Sequence, residues 1–204
     1  VSCGYLHEVI RDYFGDGSRG GVEMRYAVES TPLGRGGGIK RALALLDGGE
    51  QQTPVVVANG DIITDLRLAR VLAQHVAAKS LATVVLTPFR SPYGIVEIDQ
   101  RDRILGFKEK PELPYWVNGG IYLFEREVSD HLPDIGDVED VTFPHLANIG
   151  RLVAFRYRGF WRSIDTMKDL ATVTEELRAS GGAPASPTGL EWGGEEDTAE
   201  AAAL

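Results

Sequence analysis

Four stretches of the sequence combine residue types that can do chemistry. Residues 29–43 read ESTPLGRGGGIKRAL. Glycines at 34 and 36–38 let a backbone approach a ligand closely. A helix starting behind them aims its free N–H groups the same way, which suits an anion or a nucleotide. The same pattern also serves a flexible loop that leads into a helix. The Gly-Lys-Ser/Thr ending of a Walker A loop is absent. Residues 55–66 read VVVANGDIITDL, an apolar β-branched run that stops at Asn59-Gly60-Asp61. Mg²⁺ takes only one or two carboxylates from a protein and fills its other positions with water and phosphates. Asp61 on a rigid strand end, with Gly60 leaving room beside it, meets that need. A plain turn or helix cap would also favour Asp here.

Residues 106–124, GFKEKPELPYWVNGGIYLF, hold Glu109 and Lys110 just before Pro111, in chain expected to be extended. One acceptor and one ammonium suffice for a hydroxyl and a phosphate; a solvated charge pair is the alternative. Asn118-Gly119-Gly120 adds an amide and room for close backbone approach. Residues 159–170, GFWRSIDTMKDL, place Asp165 after two aromatics, either as a second metal carboxylate or as the cap of a last helix. The four histidines, His7, His75, His131 and His145, form no i, i+4 ligand pair. No serine sits in a nucleophile elbow, which argues against acyl transfer.

The elements that must position these groups alternate between strand and helix. A strand tail enters a turn at 1–5, and apolar residues Leu6, Val9, Ile10, Tyr13 and Phe14 follow at helical spacing. Turn chemistry at 15–18 ends that helix, and 22–28 alternates like a strand. The glycine run leads into a helix over IKRALALL. Residues 54–58 form a strand, Asp65 caps a helix over 66–78, and 82–87 is strand again. Segments 95–99 and 103–107 flank a polar turn as a hairpin. Further on the pattern predicts a strand at 119–124, short helices at 128–132 and 143–149, a strand at 152–157 and a closing helix at 169–179. This is α/β texture with a mostly parallel sheet and a more antiparallel later part. In such sheets ligands bind beyond the carboxyl ends of the strands, where Asp61 falls.

Composition sets the bounds. The chain has 204 residues, 43% hydrophobic and 25% charged, which suits one globular domain. No run approaches the roughly 18 apolar residues of a membrane span, and no signal peptide opens the chain. Cys3 is the single cysteine, which excludes an intrachain disulfide and fits a reducing cytoplasm. The net charge is −9, and five acids without a Lys or Arg fall after Ser180. Neither part carries the basic footprint of a nucleic-acid binder. From Gly181 onward small residues, prolines and acids predict a disordered tail over 180–204.

Taken together and in order, the motifs resemble one family. The order is E…PLGxxGxI, NGD after an apolar strand, Tyr93-Gly94, Phe107-x-Glu109-Lys110-Pro111, Asn118-Gly-Gly-Ile-Tyr122, and Gly159-Phe-Trp…Asp165-Thr166…Asp169. This resembles the sugar-1-phosphate nucleotidyltransferases, the nucleotide-sugar pyrophosphorylases, from Tyr5 to about Leu177. The resemblance implies a Rossmann-like α/β fold with a mixed, mostly parallel sheet of the nucleotidyltransferase type and a small antiparallel elaboration. That domain would cover 1–179. It implies transfer of a nucleoside monophosphate from an NTP to a hexose 1-phosphate, with Mg²⁺ as cofactor. By motif, Asp61 and Asp165 resemble the metal aspartates, and with Lys110 form the catalytic set. Lys110 would hold the sugar phosphate and Glu109 the sugar hydroxyls. Gly94, Asn118 and Gly119 would line the sugar, Glu29 and Gly34 would lie near the base, and Gly60 completes the NGD turn. A homo-oligomer suits such an enzyme; membrane and nucleic-acid partners do not.

The sequence departs from the family pattern in two ways. The family's opening strand and G-G-x-G-T-R-L type loop are not among these residues, so the sequence reads as an N-terminally incomplete copy. A sugar-phosphate or nucleotide-sugar binding module without catalysis therefore stands as the alternative. Many members also carry the second acid two residues after the Trp, where Ser163 stands here. The W…x-D-T form and GGGIKRA resemble cytidylyltransferases, whereas PLG and FPHLA resemble mannose 1-phosphate guanylyltransferases. Guanylyl, cytidylyl and thymidylyl transfer all stay open. An Asp-x-Asp glycosyltransferase is disfavoured, because Ile62-Ile63 follow Asp61.

Overall fold

Short β-branched runs and amphipathic segments alternate along the chain and fold as that alternation dictates. The structure, a computed structural model, describes residues 1–46 and 54–179. In chain order the elements are β1 (Ser2–Cys3), α1 (His7–Phe14), β2 (Ala27–Val28), α2 (Gly34–Ala44), β3 (Val55–Ala58), β4 (Ile62–Thr64), α3 (Leu68–Ala78) and β5 (Ala82–Arg90). There follow β6 (Ile95–Ile98), β7 (Ile104–Lys108), β8 (Glu112–Phe124), α4 (Thr142–Asn148), β9 (Leu152–Arg156), β10 (Trp161–Ser163) and α5 (Met167–Ala179). Short 3₁₀ segments lie at Ser18–Gly20 and Arg126–His131.

The central sheet has the order β3-β8-β5-β9. Strands β3, β5 and β9 run in one direction and β8 runs against them. The sheet is thus mixed and mostly parallel, with β6-β7 as an antiparallel hairpin beside it. The inner strands are apolar on both faces because both faces are covered. On one side Val84, Tyr122 and Phe124 pack with Leu43 of α2 and with Phe143 and Leu146 of α4. The Tyr122 and Phe124 rings stack with centroids 5.6 Å apart. On the other side Val85, Ile121, Leu123 and Phe155 pack with Val71 of α3. Full burial of each such side chain contributes about 1.5–3 kcal/mol. His75 of α3 is also buried, its ring lying between Thr83 Oγ1 at 2.7 Å and Glu125 Oε1 at 3.1 Å.

Several sequence expectations are corrected. The strand expected over 22–28 is reduced to Ala27–Val28, which pairs parallel with β1. The glycine run is not a loop: Gly34 opens α2, and Gly36, Gly37 and Gly38 are its buried first turns. Asp65 does not cap α3, which begins at Leu68 after Arg67 with no side-chain cap. Its Oδ1 instead accepts the Phe160 N–H at 3.0 Å and the Tyr157 hydroxyl. Lys110 is not extended: its φ is +46°, left-handed backbone for a non-glycine residue. Helix α1 forms as its spacing predicts, yet it contains no buried residue. The tail expected over 180–204 lies outside the described residues. Among the described residues no helix is long and apolar enough to cross a membrane.

Candidate active site

A bulge in β8 gathers three of the four stretches. Val84 of β5 pairs with Tyr122, but Leu86 pairs with Asn118. Two steps along β5 therefore match four along β8, and the two extra residues are Gly119-Gly120, next to the paired Asn118. Gly120 takes φ +70°, and a Cβ there would lie 2.8 Å from Asn59 Nδ2. Glycine is required on both counts. The bulge redirects its two carbonyls. Gly120 O accepts the Asn59 N–H at 2.8 Å, fixing the chain as it leaves β3 toward Gly60 and Asp61. Gly119 O accepts the Trp161 indole N–H at 2.8 Å, fixing β10.

From there β4 and β10 form a short antiparallel ribbon with Ile62 opposite Ser163. The ladder continues one step, with the Ile164 N–H donating to Asp61 O at 2.9 Å. Asp165 thus lies one residue past the partner of Asp61, and both are exposed. Two strands that end about 100 residues apart in sequence deliver one acid each to one ribbon end. The helix-cap alternative for Asp165 does not hold: it accepts the Ser163 hydroxyl at 2.8 Å, while Asp169 takes the Thr166 N–H at 2.9 Å at the start of α5. Nothing lies within 4 Å of a Cβ added at Gly60, so the space beside Asp61 is open.

The N-terminus of α2 behaves differently from its sequence reading. Gly136 O accepts the Gly36 N–H at 2.9 Å, and Asp137 Oδ1 accepts the Arg35 N–H at 2.8 Å. These helix N–H groups are spent on the chain itself, not offered to a phosphate. The glycines serve the same contact, since a Cβ at Gly34 would lie 2.6 Å from Gly136 O and one at Gly36 2.7 Å from Pro133 Cγ. Glu29 is spent likewise: Oε1 accepts from Ser2 Oγ at 2.8 Å and Oε2 from the Leu33 N–H at 3.0 Å. Through Leu33, the residue before Gly34, Glu29 is tied to the start of α2.

Arg35 and Glu139 join that end to the bulge. The Arg35 guanidinium contacts Asp137 at 3.3 Å and Glu139 Oε1 at 3.0 Å. Burial alone would lower the Arg35 pKa, but the Asp137 hydrogen bond and the charges of Glu139 and Asp137 outweigh it and raise it. Glu139 Oε1 also accepts from Asn118 Nδ2 at 3.3 Å and from the Tyr122 hydroxyl at 3.4 Å. Burial pushes the Tyr122 hydroxyl up to about 12. Gly94, Glu109 and Lys110 stand at the root of the β6-β7 hairpin. A Cβ at Gly94 would lie 3.0 Å from Glu109 Oε2, so these two are neighbours. No hydrogen bond or ion pair joins this arm to Asp61, Asp165 or Asn118 among the described residues. Arg35, Asp137 and Glu139 escaped the sequence reading because nothing local marks them: Asp137 is 102 residues from Arg35.

Two exposed carboxylates on one ribbon end form a hard-oxygen donor set, which fits Mg²⁺ bound with water and phosphates completing its shell. Among the described residues no group of three or more His, Cys, Asp or Glu gathers as an all-protein cage. A family model described as nucleotidyl transferase matches residues 1–180. The chain belongs to this nucleotidyl transferase family. It is 34% identical over 185 residues to a mannose-1-phosphate guanylyltransferase of Mycobacterium tuberculosis, covering 87% of this chain and 50% of that protein. A D-glycero-alpha-D-manno-heptose 1-phosphate guanylyltransferase of Aneurinibacillus thermoaerophilus is 34% identical over 131 residues, covering 63% of this chain and 54% of its own length. The crystal structure of HddC from Yersinia pseudotuberculosis superposes with a TM-score of 0.64 at 21% identity, over 85% of this chain and 75% of HddC. That last likeness concerns the fold, and it agrees with the mixed sheet described above. The nucleotidyl transferase chain spans about half the length of the curated relatives it matches.

Proposed function

We propose that this nucleotidyl transferase chain moves a nucleoside monophosphate from an NTP onto a hexose 1-phosphate and releases pyrophosphate. The observation that carries the reading is the β4-β10 ribbon, which sets Asp61 and Asp165 at one end through the Asn118-Gly119-Gly120 bulge. In this reading a sugar phosphate oxygen attacks the α-phosphorus in line. A new P–O bond forms as the bond to the β-phosphate oxygen breaks, and pyrophosphate leaves. No protein nucleophile is needed, because positioning and charge stabilisation supply the catalysis. Asp61 and Asp165 would hold Mg²⁺, which when bound neutralises charge developing on the phosphates.

The chain's own residues do the rest. Lys110, held at the hairpin root, binds the phosphate of the sugar. Glu109 and Gly94, neighbours there, face its hydroxyls, while Asn118 and Gly119, bonded within the chain, shape the bulge that lines the sugar. Gly60 leaves room at Asp61. Glu29 and Gly34 shape the base end, and Glu29 does so as a brace for the start of α2. The two guanylyltransferase relatives support GTP and a manno-configured sugar as the first pair to try. The cytoplasm and a homo-oligomer belong to this reading. A panel of triphosphates and hexose 1-phosphates, read by pyrophosphate release, tests it; GTP with mannose 1-phosphate is expected to give the largest kcat/KM. No release with any pair, from a folded chain that still binds a sugar phosphate, would favour a binding module. The occupied N–H groups of α2 support keeping that second reading, since they leave the triphosphate to other groups.

A further inference from the structure

Beside the bulge lies a cavity of about 320 Å³. Its walls are apolar, chiefly Val84, Leu86, Phe143 and Leu152, with Asn118 and Glu139 as the polar residues that line it. The two oxygens of Glu139 are treated unequally. Oε1 receives Arg35 at 3.0 Å, Asn118 at 3.3 Å and Tyr122 at 3.4 Å. Oε2 is buried and has no hydrogen-bond partner among the described residues. A shielded carboxylate oxygen without a donor is unfavourable, so a group from outside the chain is expected to supply one. Asn118 has little left to offer a ligand. Its Nδ2 donates to Tyr122 Oη at 2.8 Å as well as to Glu139, and its Oδ1 accepts the Gly120 N–H at 2.9 Å.

We infer that Glu139 recognises the sugar, with Oε2 accepting one hydroxyl of the hexose 1-phosphate while Asn118 braces the bulge. The inference rests on the proposed transfer reaction and names a residue that the motifs do not. The chemistry favours a hydroxyl. A carboxylate repels the phosphate end of the ligand, which belongs with the Lys110 ammonium. The C–H faces of a pyranose suit Phe143 and the aliphatic walls, and a few placed polar groups then set orientation. Arg35, anchored by Asp137, holds Oε1 and so leaves Oε2 as the free acceptor.

Calorimetric titration of the whole chain with mannose 1-phosphate and its monodeoxy analogues tests this, with inorganic phosphate as a control for the phosphate end. For wild type, one deoxy analogue is expected to bind at least about tenfold more weakly than the parent, the scale of a lost hydrogen bond to a charged group. For Glu139→Gln, the parent is expected to weaken to a similar degree, that analogue to lose nothing further, and inorganic phosphate to bind as before. An equal loss for every analogue in wild type and variant, with the same Tm, overturns the role of Glu139 alone. A folded wild-type chain that binds no hexose 1-phosphate overturns this inference and the transfer reading together.

Discussion

Gly120 is hydrogen-bonded to Asn59, the residue before Gly60, and the two glycines do opposite work. Gly120 holds a left-handed φ against Asn59, so Gly120→Ala is expected to cost about 1–3 kcal/mol by strain and clash. Gly60 touches nothing and has ordinary φ, so Gly60→Ala is expected to stay within about 0.5 kcal/mol of wild type. Urea unfolding of the two variants checks both values. If the open space at Gly60 serves a ligand, Gly60→Ala also lowers turnover while Tm holds. Equal destabilisation by both would contradict the open space beside Gly60. Asp61, Asp165, Asn118 and Gly119 are candidates that motif spacing names, and the structure joins them through the β8 bulge and the β4-β10 ribbon. Glu139 and Arg35 are not named by any motif, since a lone acid in a connecting turn and a lone base in the first turn of α2 carry no local signal.

Helix α2 shows where reading elements from sequence stops. A glycine run before a helix has one pattern for two uses, phosphate cradling and close packing. The partner that decides between them, residues 133–137, lies about 100 residues away. Strands β4 and β10 have three residues each, too few for a period to register, so their pairing came only from the structure. By contrast β3, β5, α3, the β6-β7 hairpin and α5 follow apolar runs and spacings that a local reading captures. Two variants probe the α2 contact. Gly36→Ala is expected to cost about 1–3 kcal/mol by overpacking against Pro133, measured by thermal unfolding. Asp137 has its pKa lowered by the Arg35 N–H and then by the Arg35 guanidinium. A lowered folded pKa gives stability that is present above the unfolded value, about 3.9, and lost as pH falls through the folded one. Asp137→Asn should therefore lie below wild type in Tm at pH 7, with the gap closing below about pH 4. A gap that stays constant with pH would rule out the ionised carboxylate as its cause.

Across the whole molecule, one sheet and one bulge join parts that the sequence keeps far apart. β8 pairs with β3 on one side and β5 on the other, and its bulge takes Asn59 from the first arm and Trp161 from the last. The hairpin carrying Glu109 and Lys110 hangs from the start of the same strand, where the Ser91 N–H donates to Pro111 O at 3.0 Å. A single strand therefore reaches both the proposed metal end and the proposed sugar-phosphate end. The claim at the centre is that Asp61 and Asp165 act as one divalent-metal pair for nucleotidyl transfer. The most direct measurement compares Asp61→Asn with wild type for pyrophosphate release from GTP and mannose 1-phosphate, alongside Mg²⁺ binding by calorimetry. The account predicts a rate loss of at least about 10²-fold together with weakened Mg²⁺ binding and an unchanged Tm. Turnover and Mg²⁺ affinity near those of wild type would contradict it.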